Sequence, residues 1–220
     1  MSLTDGLLAF WKLDDNGSGG LSLVDSSGSG HTLSNSGVTL CDGKIGGAAY
    51  INGGPNNLTT DAGIISAADF SVSMWIRREG EPWDGTDYFQ LWTESEIEPV
   101  FHLSNPASFL TSTGVWRHLL VSCVYGTSLK TYIDGSLVST DASPSFAAVV
   151  THLTLGNHGW ATSDTIGLKI DDVGVWGRAL SSSDAYNLYN GGSGNTYPFS
   201  STPPPSPQLD LSNSGVTFLF

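Results

Sequence analysis

The stretch GVWRHLLVSCVYGTSLKTYIDGSLV, Gly114 to Val138, decides the fold. It holds two β-type runs, Trp116 to Val124 and Leu129 to Ile133, joined by the turn-forming Tyr125-Gly126-Thr127-Ser128. A second tight turn follows at Asp134-Gly135, ahead of Leu137 and Val138. Asp-Gly between alternating apolar residues marks a hairpin, because glycine takes positive φ with no Cβ to clash. One hairpin therefore leads into another, and an antiparallel sheet is the expectation. Within the first run Cys123 alternates with Leu119 and Val121, which makes it a small buried hydrophobe.

Strand patterns continue on both sides. Phe70, Val72, Met74 and Ile76 alternate with Ser71, Ser73, Trp75 and Arg77, a half-buried strand. Between Gly6 and Leu13, Leu8, Phe10 and Lys12 face one way while Leu7, Ala9, Trp11 and Leu13 face the other, which reads as a strand inside a sheet. Leu21 to Val24 reads as a short strand, and Thr32 to Leu40 as another interrupted at Ser36-Gly37. Thr151 to Asn157 and Ile166 to Trp176 read as two late strands. Ser181 followed three residues later by Asp184 predicts a capped helix start, with Ala185, Leu188 and Tyr189 on the packed face and Gly191-Gly192 at its end.

The length of 220 residues suits one domain with an appendage, large enough to bury a full core without covalent staples. Eight basic residues against 21 acidic ones give a formal charge of -13, which disfavours nucleic acid and anionic membranes as partners. Cys41 and Cys123 are far apart and lack metal-type spacing. The opening MSLTDGLLAFWKLDD has no basic start and no long apolar run, so neither a signal peptide nor membrane insertion is expected. The expected localisation is cytoplasmic synthesis followed by assembly onto a virion or another surface structure.

Several segments together resemble laminin-G-like domains of the concanavalin A-like superfamily. The pattern Trp116-x-His118, an apolar strand, then Tyr132-x-Asp134-Gly135 and Leu137-Val138 is similar to that family's central hairpin. Phe10-Trp11-Lys12-Leu13-Asp14-Asp15, Asp25 to Gly30, Gly43 to Ala48, Phe70 to Ile76, and Ile170-Asp171-Asp172-Val173 through Arg178-Ala179-Leu180-Ser181 to Gly192 follow in the family's order. The resemblance implies an all-β, two-sheet antiparallel β-sandwich of jelly-roll type used mostly for recognition. Here it carries one short C-terminal helix and an extended tail. His118 belongs to the pattern as a packing and hydrogen-bonding residue.

Composition divides the chain into a sandwich over residues 1–194, a Pro-rich linker over 195–207 and a docking tail over 208–220. Ser200 to Pro207 favours an extended polyproline-like spacer. In the tail, Leu211-Ser212-Asn213-Ser214-Gly215-Val216-Thr217 repeats Leu33-Ser34-Asn35-Ser36-Gly37-Val38-Thr39. A tail strand that pairs with a neighbouring copy or a protein partner accounts for the repeat, with Leu211, Val216, Phe218, Leu219 and Phe220 as docking residues.

Three kinds of site follow. Trp83 and Trp92, in the least regular region, and Asn157, His158 and Trp160, in a late loop, are the candidate ligand residues, aromatic platforms with polar neighbours suited to a glycan. Loop carboxylates suit a hard cation, and the resemblance implies a structural Ca²⁺ where first and last strands meet, held by Asp14, Asp15, Asp25 and Asp171. Alternation sends Asp171 and Asp172 to opposite faces, and the resemblance selects Asp171. Glu94-Ser95-Glu96-Ile97-Glu98 resembles the acidic strand of laminarinase-type hydrolases, but Glu96 stands where that family has Asp, and Pro99 follows at once. The leading expectation is a non-catalytic recognition or adhesion module, such as a virion decoration or tail-associated protein, docked through its tail. A free-standing carbohydrate-binding lectin and a β-glucan hydrolase using Glu94 and Glu98 are the alternatives.

Overall fold

At Asp134-Gly135 both residues take positive φ, 49° and 75°, and the two flanking strands pair as the sequence pattern requires. The structure, a computed structural model, describes residues 1–52, 56–61, 63–65, 69–80, 87–93, 99–104, 112–142, 150–156 and 167–200, without the side chains of 87–93, 99–104 and 150–152. Its strands are β1 (Leu7–Trp11), β2 (Ser34–Ser36), β3 (Thr39–Asp42), β4 (Gly47–Asn52), β5 (Asn57–Thr59), β6 (Phe70–Arg78) and β7 (Asp87–Thr93). They continue as β8 (Pro99–Ser104), β9 (Trp116–Val124), β10 (Ser128–Ile133), β11 (Ser136–Asp141), β12 (Val150–Gly156) and β13 (Gly167–Trp176), followed by helix α1 (Ser182–Tyr189).

The strands form two antiparallel sheets. The larger runs β11-β10-β9-β6-β13-β4-β3, and β1 also pairs with β13. Strands β4 and β1 share one edge of β13 end to end, the first on Gly167 to Ile170 and the second on Val173 to Trp176. The smaller sheet runs β2-β5-β12-β7-β8. Trp11, Met74, Ile76, Leu119, Val121, Cys123, Ile170 and Val175 from the larger sheet pack with Leu58, Leu153 and Leu155 from the smaller, so the main core lies between the sheets. Alternation thus puts Cys123 where the sequence expects it, and both cysteines are free thiols.

A second apolar layer covers the outer face of the larger sheet. Leu120, Tyr132 and Trp176 pack there with Leu3, Leu180, Ala185 and Leu188. The predicted capping box forms: Ser181 accepts from Asp184 N, and Asp184 accepts from Ser181 N. Asn190, at φ 50° and ψ 49°, caps the other end ahead of the glycine pair.

Several expectations change. β1 has β13 as its one partner strand among the described residues. Its second apolar face is buried instead by the segment after the helix, where the Phe10 ring meets those of Tyr197 and Phe199 at 6.1 and 5.4 Å. A register shift between Leu7 and Ala9 also breaks the alternation, so Leu7 joins the outer layer. Leu21 to Val24 contributes one bridge, Asp15 to Leu21, rather than a strand. The segment Thr32 to Leu40 is shared by two sheets, since Gly37 at φ 75° carries the chain from β2 to β3. The residues after the helix pack on the larger sheet: Phe199 stacks on Trp176 at 6.1 Å, and Thr196 Oγ1 donates to Asp172 at 2.9 Å. The rest of the linker and the docking residues Leu211, Val216, Phe218, Leu219 and Phe220 lie outside the described residues.

Candidate functional site

The loop between β3 and β4 is tied down by two carboxylates from distant strands. Asp171 of β13 accepts from the backbone N–H of Lys44 at 2.7 Å and of Ile45 at 2.8 Å, both on Oδ2. Asp14, just past β1, accepts from Gly47 N at 2.7 Å. Gly43 N donates to Gly46 O at 3.0 Å, which closes the loop on itself. Lys44 then lies over the Trp75 ring, 4.8 Å from its centroid, and Trp75 packs edge-on to His118. Trp75 is therefore a buried residue under this loop rather than a surface platform.

Asp171 is fully buried, and Asp172 beside it is 6% exposed. Strict alternation would separate them. The β13–β6 register shifts between Asp171 and Gly174, and Asp172 takes φ 48°, so both acids stay inside. Two of their oxygens, Asp171 Oδ1 and Asp172 Oδ2, are buried without a hydrogen-bond partner among the described residues. Burial pushes the Asp171 carboxyl up to about 8, with the neighbouring Asp172 charge adding to the effect. Burial likewise pushes Asp172 up to about 7; its bond from Thr196 opposes the rise and the charge of Asp14 supports it. Taking a lone carboxylate out of water is costly, so such groups take up a proton or a cation.

The other two proposed ligands do different work. Asp25 is 6% exposed and accepts from the backbone N–H groups of Phe10, Ser27, Gly30 and His31. Burial alone would raise its carboxyl, but the bonds from Phe10, Ser27 and His31 hold it below the ordinary carboxylate range. The Asp25 loop thus caps the free edge of β1. Asp15 closes its own turn by accepting from Gly17 and Gly19. The sequence-derived set of Asp14, Asp15, Asp25 and Asp171 is not one cluster, and no group of three His, Cys, Asp or Glu side chains among the described residues is arranged around a metal. For a Ca²⁺ the chemistry of the two orphaned oxygens fits, as hard donors. Their number supplies only part of a shell of six to eight oxygens, so water and backbone carbonyls would complete it. Sequence reasoning set Asp172 aside because strict alternation sends it to the opposite face; the register shift and the positive φ bring it in.

An open cavity of about 590 Å³ adjoins the cradle, lined by Asp14, Asp15, Asp42, Cys41 and the Gly46-Gly47 backbone among others. Burial raises the Cys41 thiol, and that of Cys123 to about 11, so neither is a nucleophile near neutrality. His118 bonds Ser73 Oγ through Nε2 at 2.9 Å, and burial pushes its imidazole down to about 4. It is a neutral structural residue.

Of the ligand candidates, Trp83, Asn157, His158 and Trp160 lie outside the described residues, as do Glu94 and Glu98. Trp92 stands on β7, paired with His152 of β12 and Pro99 of β8, and its side chain is not described. The register still orders the strand ends. Asp87 pairs with Ser104, Leu155 with Phe89 and Gly156 with Asn57. The strand ends from which 81–86 and 157–166 emerge thus share one end of the smaller sheet, whereas Trp92 belongs to the other end.

A family model, Laminin_G_3, described as the concanavalin A-like lectin/glucanases superfamily, matches residues 52–185. No curated protein matches the chain. Among solved structures, the binding domain of Paraclostridial Mosquitocidal Protein 1 superposes with a TM-score of 0.66 at 18% identity, covering 86% of this chain and 53% of that one. The receptor binding domain of the botulinum neurotoxin C/D mosaic serotype gives 0.66 at 16%, covering 86% and 52%. Domain 4 of AbnA, a GH43 extracellular arabinanase from Geobacillus stearothermophilus, solved with arabinotriose, gives 0.63 at 22%, covering 83% and 98%. The chain spans about half the length of the two toxin domains and nearly all of the arabinanase domain. At these identities the likeness is one of fold. On the family match and the two-sheet architecture together, the chain belongs to the concanavalin A-like lectin/glucanases superfamily.

Proposed function

We propose that this chain is a non-catalytic, lectin-like recognition module that binds a glycan, displayed on a larger assembly such as a virion surface. The observation that carries the glycan part is the end-to-end match to an arabinanase domain solved with arabinotriose. Botulinum neurotoxin DC binding domains solved in complex with rat synaptotagmin II and with SialylT support recognition as the general use of the fold. The ligand site lies at the end of the smaller sheet where the segments bearing Trp83 and Asn157, His158 and Trp160 begin, and Trp92 is left out of it. Display on an assembly rests on the repeated LSNSGVT of the tail.

A glycan array that includes arabino-oligosaccharides tests this reading. The full chain should retain at least one glycan saturably, and the Trp83→Ala and Trp160→Ala variants should bind it at least tenfold more weakly, since one stacked aromatic contributes roughly 1.5 kcal/mol or more. Unchanged binding in both variants would reject the site, and no retained glycan would reject glycan recognition.

Ca²⁺ is held, in this reading, by Asp171 and Asp172, with the charge of Asp14 nearby. Its role is structural: it offsets buried negative charge between β13 and the β3–β4 loop. A pH prediction follows. Both carboxyls are raised when folded, so their contribution is complete below about pH 4 and is lost as pH rises through about 7 and 8. Above pH 7 the depressed His118 is neutral when folded and mostly neutral when unfolded, and adds little slope. In EDTA the melting temperature should fall on the way up to about pH 8 by roughly 3–5 °C per pH unit for each carboxyl still protonated in the fold, and should level off above it. Asp171→Asn, which keeps the acceptor for Lys44 and Ile45, should flatten that slope. Added Ca²⁺ should raise the melting temperature at pH 9, and no response to Ca²⁺ would remove the metal from the account.

A further inference from the structure

Residues 33–42 close one side of the sandwich. β2 is the edge of the smaller sheet and β3 the edge of the larger, with Gly37 at φ 75° between them. This ribbon is lightly held: β2 meets β5 through Ser34↔Thr59, Asn35↔Leu58 and Ser36↔Asn57, and β3 meets β4 from Thr39↔Tyr50 to Asp42↔Gly47. Its fixtures are few. Leu33 and Val38 are 3% and 5% exposed and belong to the main core. The Asn35 carboxamide donates to Val38 O at 3.0 Å and accepts from Val38 N at 2.9 Å.

The tail carries these fixtures a second time as Leu211, Asn213, Gly215 and Val216 within an identical heptapeptide. Beyond the identity, Phe218-Leu219-Phe220 stands against Leu40-Cys41-Asp42, more apolar where β3 is half-exposed. Simple addition of a strand beside β2 would use backbone groups and would not need a Leu and a Val spaced to enter the core. Replacement of the ribbon needs both.

We propose that residues 211–220 of a neighbouring copy replace residues 33–42, pairing with β5 and β4 in their stead. The proposal rests on the tail-docking part of the function above and names its acceptor. Either ribbon makes the same contacts over seven residues, so the exchange is close to neutral there, and the Phe218 to Phe220 end adds apolar burial. Extended as a polyproline-type spacer at about 3.1 Å per residue, residues 201–210 would reach about 30 Å, enough to span to a neighbour.

The test is disulfide trapping in the full chain with Cys41→Ser, Thr59→Cys and Ser212→Cys, since residue 212 corresponds to Ser34, which faces Thr59. A Ser34→Cys, Thr59→Cys chain shows that this register can be trapped. A bond between positions 59 and 212 of different chains, reduced at least tenfold by Val216→Asp in a chain that still melts at the wild-type temperature, is the expected result. If the control closes but the 59–212 bond does not, or closes within one chain, the exchange is wrong. Tail-dependent oligomers by light scattering without that bond would leave tail docking standing and the exchange overturned. Monomers at every concentration would remove tail-driven self-association as well.

Discussion

Gly43→Ala is expected to lower the melting temperature by about 10 °C, equivalent to about 3–5 kcal/mol at 2–4 °C per kcal/mol. A Cβ at this position collides with the Gly47 carbonyl oxygen and comes within 2.8 Å of Asp171 Oδ2. Both neighbours are fixed. Gly47 N is bonded to Asp14, and Asp171 Oδ2 holds Lys44 and Ile45. The loop must therefore open, which leaves the fully buried Asp171 carboxyl with fewer donors, a costly loss for a polar group that water cannot reach. Thermal unfolding by circular dichroism checks this. A control substitution at Gly63, which has open space around its Cβ but positive φ, should cost far less. Equal losses at the two sites would mean that the carboxylate-tied loop is not a principal support of the sandwich.

Trp176→Ala should cost a similar amount, about 3–5 kcal/mol. Trp176 is fully buried on the outer face of β13, its Nε1–H donates to Leu3 O at 2.7 Å, and its ring stacks on Phe199. One side chain thus ties together the N-terminus, the last strand and the segment after the helix. It lies so close above Gly174 that a Cβ there would meet the indole ring. Trp176→Phe keeps the apolar volume in part and gives up the bond to Leu3, so its loss should be smaller, about 1–2 kcal/mol. If Trp176→Ala unfolds at the wild-type temperature, the outer layer is dispensable and the sandwich rests on the inter-sheet core alone.

The parts of this fold that were legible in advance are those in which local pattern and burial agree. The β9–β10–β11 hairpins and the Ser181–Asp184 cap were read from period-two alternation, an Asp-Gly turn and a capping pair, and each appears where expected. β6 forms as a strand but not as the half-buried one its alternation predicts: both faces are buried, with Ser71 bonded to Arg178 and Leu180 and Trp75 under the β3–β4 loop. The other misreadings share a cause, a break in alternation that only pairing reveals. The register shift between Leu7 and Ala9 moves Leu7 to the outer layer, and that between Asp171 and Gly174 keeps two adjacent acids inside. The two-sided burial of Phe10 comes from Tyr197 and Phe199, more than 180 residues away in sequence, and nothing local to β1 encodes it. The same holds at the cradle. Asp14 and Asp171 could be picked as neighbours only by resemblance, because their meeting depends on β1 and β4 sharing an edge of β13. Asp25 carries the same side chain as Asp14, yet its local turn spends it on backbone N–H groups.

The most direct measurement follows binding and turnover in one vessel: the full chain is titrated with the glycan retained on the array, and the mixture is then assayed for new reducing ends. The account predicts saturable binding that weakens at least tenfold in Trp83→Ala and Trp160→Ala, with the glycan recovered intact. Release of reducing ends by the wild type, lost in Glu94→Gln or Glu98→Gln, would contradict it and make the chain a hydrolase.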